Sequence, residues 1–310
     1  MKKIVVICGP TASGKTKLAI ELAQKYNGEI ISADSGQVWR ELDLGTAKPT
    51  FEERRRVPHH LIDVVTPGEH FDVSQYCALA DKAIDDIIGR GKVPFVVGGT
   101  GMYLRVLFRG LCEAPPQDLQ IRKELEARIQ TEGLNRLHEE LQNRDPPLAK
   151  KLNPKDTTRI VRGLEVYEIT GIPLSTFQEK HQFQNPRYEV LQIGLCCDKK
   201  VLHERIEKRT DWMLYNGWVE EVRELLKFYS TGSQAFRTLG YKTIATHLKG
   251  ELSLSEATAE IKKQTKAFAK RQGTWFRSDP SIFWVRGEES LKNIFDAAVS
   301  AVDHFLCLCQ

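Results

Sequence analysis

The run Gly9-Pro10-Thr11-Ala12-Ser13-Gly14-Lys15-Thr16 constrains this chain more than any other feature. It fits G-x-x-x-x-G-K-[ST], a loop whose backbone N–H groups curl around an anion. The apolar stretch Ile4–Cys8 precedes it, and the helical pattern Leu18–Ala23 follows. A loop of this kind works between a buried strand and a helix N-terminus, whose dipole adds positive potential where the anion sits. Gly9, Thr11, Ala12, Ser13 and Gly14 are therefore candidate ligands for a phosphate or diphosphate. Lys15 supplies a point charge, and Thr16 offers a hydroxyl to Mg²⁺. ATP- and other nucleotide-binding proteins carry the same pattern. It leaves open which phosphorylated molecule is held, and whether phosphorus or carbon is attacked.

Val- and Ile-rich runs recur at Ile4–Cys8, Glu29–Ala33, Leu61–Val65, Val93–Val97, Val190–Cys196 and Ile282–Val285, mostly separated by helical patterns. That alternation predicts an α/β fold, a parallel sheet flanked by helices. From about Pro115 to Arg187 no strand is evident. Asp118–Thr131, Leu134–Leu141 and Thr157–Ile169 read as helices, with a break at Pro146-Pro147. The expected division is a core of residues 1–116 and 188–310 interrupted by a helical insertion, 117–187. With 41% hydrophobic and 28% charged residues, the 310-residue chain reads as globular. Its net charge of +4 is a weak pointer to a polyanionic partner. The seven cysteines include an adjacent pair, Cys196-Cys197, and a terminal pair, Cys307 and Cys309, but no C-x-x-C. Reduced thiols in a cytoplasmic protein are the expectation. The apolar run after Lys2-Lys3 is too short for a signal peptide, and none is long enough to span a bilayer.

Two further strand ends carry chemistry. After Glu29–Ala33 come Asp34-Ser35-Gly36-Gln37. In a doubly wound sheet this edge lies near the phosphate loop. A carboxylate there can hydrogen-bond an amine nucleophile and later take its proton, and Gln37 can read a base edge. A helix cap at Asp34 and a solvated Gln37 fit the spacing equally well. After Val93–Val97 come Gly98-Gly99-Thr100-Gly101, where glycines permit close approach and Thr100 offers a hydroxyl to an oxyanion. The strand end lacks an acidic metal ligand; Asp63 is the nearest candidate and reads as well as a turn residue. Lys262, Lys263, Lys266, Lys270, Arg271 and Arg277 interleave with Phe268, Trp275 and Phe276. Such a segment suits a nucleic-acid backbone, and a solvated helix face over buried aromatics equally. Arg205, Lys208 and Arg209, with Arg159 and Arg162, form other basic clusters, and a buried Arg reaching back to a phosphate loop is a common device for leaving-group charge.

Taken together, these residues resemble the tRNA dimethylallyltransferases (tRNA isopentenyltransferases). The resemblance rests on residues 9–16, Ser32–Ser35 with Gln37-Val38, Gly45–Pro49, Pro58–Asp63, Gly98–Gly101, Arg162 with Leu164–Val166, Gly240–Lys242, Lys270–Gln272 and Thr274–Phe276, in family order over nearly the whole chain. It implies a P-loop kinase-like core with a helical insertion that grips the tRNA anticodon stem-loop. It implies transfer of a dimethylallyl group from dimethylallyl diphosphate to N6 of the adenosine 3′ of the anticodon, with Mg²⁺ assisting and diphosphate released. On the same resemblance the catalytic set is Asp34, the base, with Thr100, Arg209 and Lys15. The phosphate loop holds the diphosphate. The tRNA contacts are Asp34, Ser35, Gly36, Gln37, Thr100, Arg122, Thr158, Arg159, Ile160, Val161, Arg162, Lys270 and Arg271. A monomer without membrane attachment is expected. Gly36 and Trp39 depart from the family's usual Met and Tyr, beside the base-reading residues. Two other readings share these features: a small-molecule kinase using ATP, and an RNA-binding protein with a vestigial loop.

Overall fold

The computed structural model describes residues 1–182 and 185–307; Cys309 of the terminal pair lies outside the described residues. The chain divides into two compact units, Met1–Phe108 with Arg187–Gln310, and Arg109–Pro186.

The first unit opens with β1 (Lys3–Cys8), α1 (Lys15–Lys25), β2 (Gly28–Ser32), α2 (Phe51–Arg56), β3 (His59–His60), α3 (Val73–Gly89), β4 (Val93–Gly98) and α4 (Gly101–Arg109). Its strands pair in the order β3-β2-β4-β1, all parallel. Strand β1 shows why the sheet is covered on both faces. Ile4, Val6 and Cys8 enter one apolar cluster with Ile31 and Val96, while Val5 and Ile7 enter another with Leu18, Leu22 and Phe95. Alternate side chains of one strand thus feed two cores, which makes the strand a continuous apolar run. The register sets Cys8 beside Gly98 and Ser32 beside Val97, so the segments that follow β1, β2 and β4 leave the sheet at one edge.

The expected strand Leu61–Val65 is displaced. Pairing with β2 occurs at His59–His60, and Val65 makes only an isolated bridge to Trp39. Leu61 and Asp63 have φ of 61° and 57°, in the left-handed region that a pleated strand cannot enter. Long-range contacts impose that turn: Lys48 Nζ lies 2.5 Å and Arg54 Nη1 2.9 Å from the Asp63 carboxylate.

The second unit is helical: α5 (Leu119–Glu132), α6 (Leu134–Arg144), α7 (Pro146–Lys151), α8 (Thr157–Thr170) and α9 (Leu174–His181). Leu125, Leu137, Leu141, Leu148, Ile160 and Leu164 form its core. Pro146-Pro147 opens a helix where a break was expected, because Asp145 caps it and a proline in the first turn forfeits no helical hydrogen bond. Two buried carboxylates order this unit. Asp145 accepts from Leu148 N–H and Ser175 N–H. Glu165 pairs with Arg122 and Arg162 and accepts from Asp118 N–H. Burial alone would raise the Glu165 pKa; Arg122 and Arg162 hold it below the usual carboxylate range.

The chain returns to the first unit at Arg187, whose N–H donates to Phe108 O at 2.9 Å. It continues through β5 (Glu189–Cys196), α10 (Lys199–Tyr215), α11 (Trp218–Leu225), α12 (Tyr241–Leu248), α13 (Leu254–Arg277), β6 (Ile282–Arg286) and α14 (Leu291–Leu306). Strands β5 and β6 extend the parallel sheet from β1, completing the order β3-β2-β4-β1-β5-β6. Helix α13 starts on a capping box between Ser253 and Glu256. Among the described residues no helix is long and apolar enough to cross a membrane.

Candidate active site

The phosphate loop leaves β1 at Gly9, with φ of 138°; a Cβ there would lie 2.5 Å from Leu195 O on β5. Only glycine suits that turn. Ala12 follows at φ 64° and Gly14 at φ 99°, after which α1 begins at Lys15. The Ser13 hydroxyl is buried without a hydrogen-bond partner. Lys15 Nζ donates to Pro10 O at 2.7 Å, folded against its own loop. Burial brings the Lys15 pKa down to about 8, with Asp34 pulling it back up and Arg209 pushing it further down.

Thr11 ties three parts of the chain together. Its N–H donates to Gln272 Oε1 at 2.8 Å, and its hydroxyl accepts from Arg209 of α10. Gln272 Nε2, on α13, donates to Gly99 O at 2.9 Å. The buried Gln272 amide thus clamps the phosphate loop to the glycine turn after β4. The approach is so close that a Cβ on Gly99 would stand 2.2 Å from that nitrogen. Nothing local in the Lys270–Gln272 motif announces a partner at the other end of the chain.

Asp34 follows β2. One carboxylate oxygen accepts from Gly36 N–H at 2.8 Å, an Asx-type turn; it caps no helix. Thr100 N–H donates to Ala33 O at 3.1 Å, and the Thr100 hydroxyl accepts from Ser35 N–H at 3.0 Å. Asp34 and Thr100 are therefore held side by side by backbone. The Gln37 amide is engaged within its own loop, accepting from the Ser32 hydroxyl and donating to Ala47 O and Thr46 O. Lys48, its side chain almost fully buried, fixes that loop through Trp39 O, Asp43 and Asp63.

Two cavities meet at these residues. One, of about 360 Å³, is floored by Gly14, Lys15 and Thr16 and reaches His59 and Arg205. The other, of about 600 Å³, has walls of Trp39, Tyr103, Met213, Trp218 and Phe268 and includes Arg271. Thr11, Asp34, Thr46, Ala47 and Arg209 line both. Arg209 is half-buried; desolvation pushes its pKa down and the Asp34 charge pulls it up. His59 belongs to the Pro58–Asp63 motif, which by itself gives it no role. Its Nδ1 meets Val57 O at 2.8 Å, while Nε2 is buried without a partner.

A divalent cation fits the smaller cavity in one manner. No group of three or more His, Cys, Asp or Glu able to hold a metal occurs among the described residues. Thr16 lines the cavity, so the protein offers the ion a single hydroxyl. That donor set suits Mg²⁺, which keeps most of its shell as water and substrate phosphate oxygens.

The remaining expected contact residues fall in different settings. Lys270 and Arg271 are exposed on α13; Lys262 and Lys266 of the same basic stretch pair with Asp211 and Glu207 of α10. In the helical unit, Thr158 and Arg159 are exposed on the first turn of α8. Ile160 and Val161 point into the core, and Arg122 and Arg162 are bound to Glu165.

The family model described as IPP transferase matches residues 37–279. The chain belongs to the IPP transferase family. A second model, isopentenyl transferase, matches residues 2–63, which carry the phosphate loop. The chain is 48% identical over 304 residues to tRNA dimethylallyltransferase of Geobacter metallireducens, covering 98% of this chain and 97% of that one. To tRNA dimethylallyltransferase 2 of Geotalea uraniireducens it is 47% identical over 293 residues, 94% of each. Among solved structures, tRNA isopentenylpyrophosphate transferase of Bacillus halodurans superposes with a TM-score of 0.73 at 35% identity, over 99% of each chain. A eukaryotic dimethylallyltransferase described as acting on tRNA gives a TM-score of 0.82 at 28% identity, covering 98% of this chain and 78% of that one. The fold is thus the P-loop α/β type expected from sequence.

Proposed function

We propose that this chain transfers the dimethylallyl group of dimethylallyl diphosphate to N6 of the adenosine 3′ of the anticodon in tRNA. The observation that carries the reading is the pair of cavities sharing Asp34, Thr11 and Arg209, one floored by the phosphate loop and one walled by aromatic side chains. Family membership and relatives named for tRNA prenylation support it.

In this reading the diphosphate lies on Gly9, Thr11, Ala12, Ser13, Gly14, Lys15 and Thr16, and a flipped purine enters the larger cavity. Asp34 accepts a hydrogen bond from N6, which aims the amine's lone pair at the allylic carbon. The N6–carbon bond forms as the carbon–oxygen bond breaks; the leaving electron pair stays on diphosphate, and the N6 proton passes to the Asp34 carboxylate. Thr100 holds the Asp34–Ser35 segment in place. Lys15 and Arg209 meet the charge that grows on the departing oxygen, an electrostatic effect strongest in a site closed to water. Thr16 would hold Mg²⁺, which would supply positive charge against the diphosphate. An adenosine in an anticodon loop is unpaired, so extruding it costs less than from a duplex. Ser35, Gly36 and Arg271 line the larger cavity and meet the target nucleotide, while Gln37, lining the smaller one, braces the loop beside it. The helical unit, through Arg122 and the segment from Thr158 to Arg162, contributes further RNA contacts, Thr158 and Arg159 by side chain. The protein acts as a cytoplasmic monomer.

The test is incubation with dimethylallyl diphosphate, Mg²⁺ and unmodified tRNA, followed by nuclease digestion and mass analysis of nucleosides. Prenylated adenosine with stoichiometric diphosphate is the expected product. ATP consumption without change in the tRNA refutes the reading in favour of phosphoryl transfer.

A further inference from the structure

A third cavity of the sheet-bearing unit, about 680 Å³, has no part in the chemistry above. It lies behind the phosphate loop, with Pro10 as one wall. Leu202, Ala269, Gly273 and Trp284 give it apolar walls, and Lys199, His203, Lys266, Lys270 and Arg277 stand among them. No carboxylate lines it. Lys266 is neutralised by Glu207, but Lys199, Lys270 and Arg277 make no ion pair with any described residue. The volume falls within the range of small-molecule sites. An apolar recess ringed by uncompensated cations has one complementary class of occupant, a small molecule with an apolar body and an anionic head. A nucleic-acid backbone, polar along its whole length, gains little from such walls.

We propose that this cavity is a second ligand site, for a small amphipathic anion whose head is a phosphate or a carboxylate. It is separate from the phosphate loop yet touches its reverse side. Pro10 belongs to both, and the Cys197 thiol, another wall residue, packs 3.9 Å from Ser13 O. Helix α13 is the partition: Ala267 faces this cavity and the aromatic-walled one alike. The proposal stands whether or not the phosphate loop serves prenyl transfer, because it rests on a different set of side chains.

Calorimetric titration tests it, using protein saturated with inorganic diphosphate and Mg²⁺ so that the phosphate loop is filled. Geranyl phosphate and decanoate are the two probes, and the arm that binds identifies the head group. One-to-one binding of either probe is expected. Gly273→Leu fills the recess, where a Cβ meets nothing nearer than the Arg277 guanidinium at 3.5 Å. It should weaken that binding about tenfold or more. Lys199→Glu, on the exposed first turn of α10, should weaken it through charge alone, and the loss should shrink at high salt. Thermal melts confirm that both variants are folded. The proposal is overturned if neither probe binds, if diphosphate or an anticodon stem-loop displaces the probe completely, or if both folded variants bind as the parent does.

Discussion

Replacing Gln272 by Leu removes the clamp between the phosphate loop and the turn after β4 while keeping similar bulk. The lost interactions are the hydrogen bonds with Thr11 N–H at 2.8 Å and Gly99 O at 2.9 Å. Gln272 is 7% exposed and Gly99 is buried, so water does not readily replace the missing partners. An orphaned buried polar group costs roughly 1–3 kcal/mol, and the added apolar contact of Leu returns about 1 kcal/mol. With two groups orphaned, the expected net loss is about 1–5 kcal/mol, read as a lower urea midpoint at unchanged slope. Thr11 is also the partner of Arg209, so releasing its backbone loosens both groups at the phosphate loop. Affinity for inorganic diphosphate should fall about tenfold or more. Gln272→Glu separates the two bonds. Its carboxylate still accepts from Thr11 N–H but turns its other oxygen toward Gly99 O, so that variant should be least stable at high pH, where the carboxylate is ionised. A Gln272→Leu protein within about 0.5 kcal/mol of the parent and with unchanged diphosphate affinity refutes the clamp.

Asp34→Ala should lower turnover by about 10²–10⁴-fold while tRNA binding, measured by filter retention, stays near that of the parent; near-normal turnover excludes Asp34 as the base. Lys15, held down to about 8, loses its charge as pH rises through that value, so in the ligand-free protein diphosphate affinity should decline above pH 8. Its effect on stability has the opposite sign. Between about pH 8 and the ordinary lysine range the unfolded chain binds more protons, so stability gains from this group as pH rises there, and Lys15→Met should flatten that slope in pH-dependent urea melts. Glu165→Ala strands Arg122 and Arg162 against a buried gap and should destabilise the helical unit by about 3–5 kcal/mol, seen as early proteolytic cleavage within residues 109–186. Gly240→Ala would place a Cβ 2.3 Å from the Trp218 ring, so it should distort the aromatic-walled cavity and lower turnover more than it weakens diphosphate binding.

The phosphate loop was legible because its function is written in backbone conformation, and glycine spacing specifies that conformation locally. The parallel sheet was legible because strands buried on both faces must be continuous apolar runs. The position of β3 was not, since Leu61 and Asp63 take left-handed conformations only once Lys48 and Arg54 close on the Asp63 carboxylate. Helix α9 escaped notice because it is short and begins after a proline that reads as a stop. The Asp34–Thr100 pairing could be anticipated from two strand ends at one sheet edge. The Gln272 clamp could not, because its partners lie 261 and 173 residues away. Nor did sequence reveal that Arg122 and Arg162 share one buried carboxylate: both were expected to face RNA, and 40 residues separate them in the chain.

The hydrogen bond from Arg187 N–H to Phe108 O closes a neck where the helical segment departs and rejoins. Fastened there, the chain can carry almost anything between the two points, because the entropy of a closed loop grows only with the logarithm of its length. The sheet is thereby insulated from whatever grows out of it. A lineage can lengthen, trim or exchange the intervening helices while the sheet and the cavities at its edge stay unaltered.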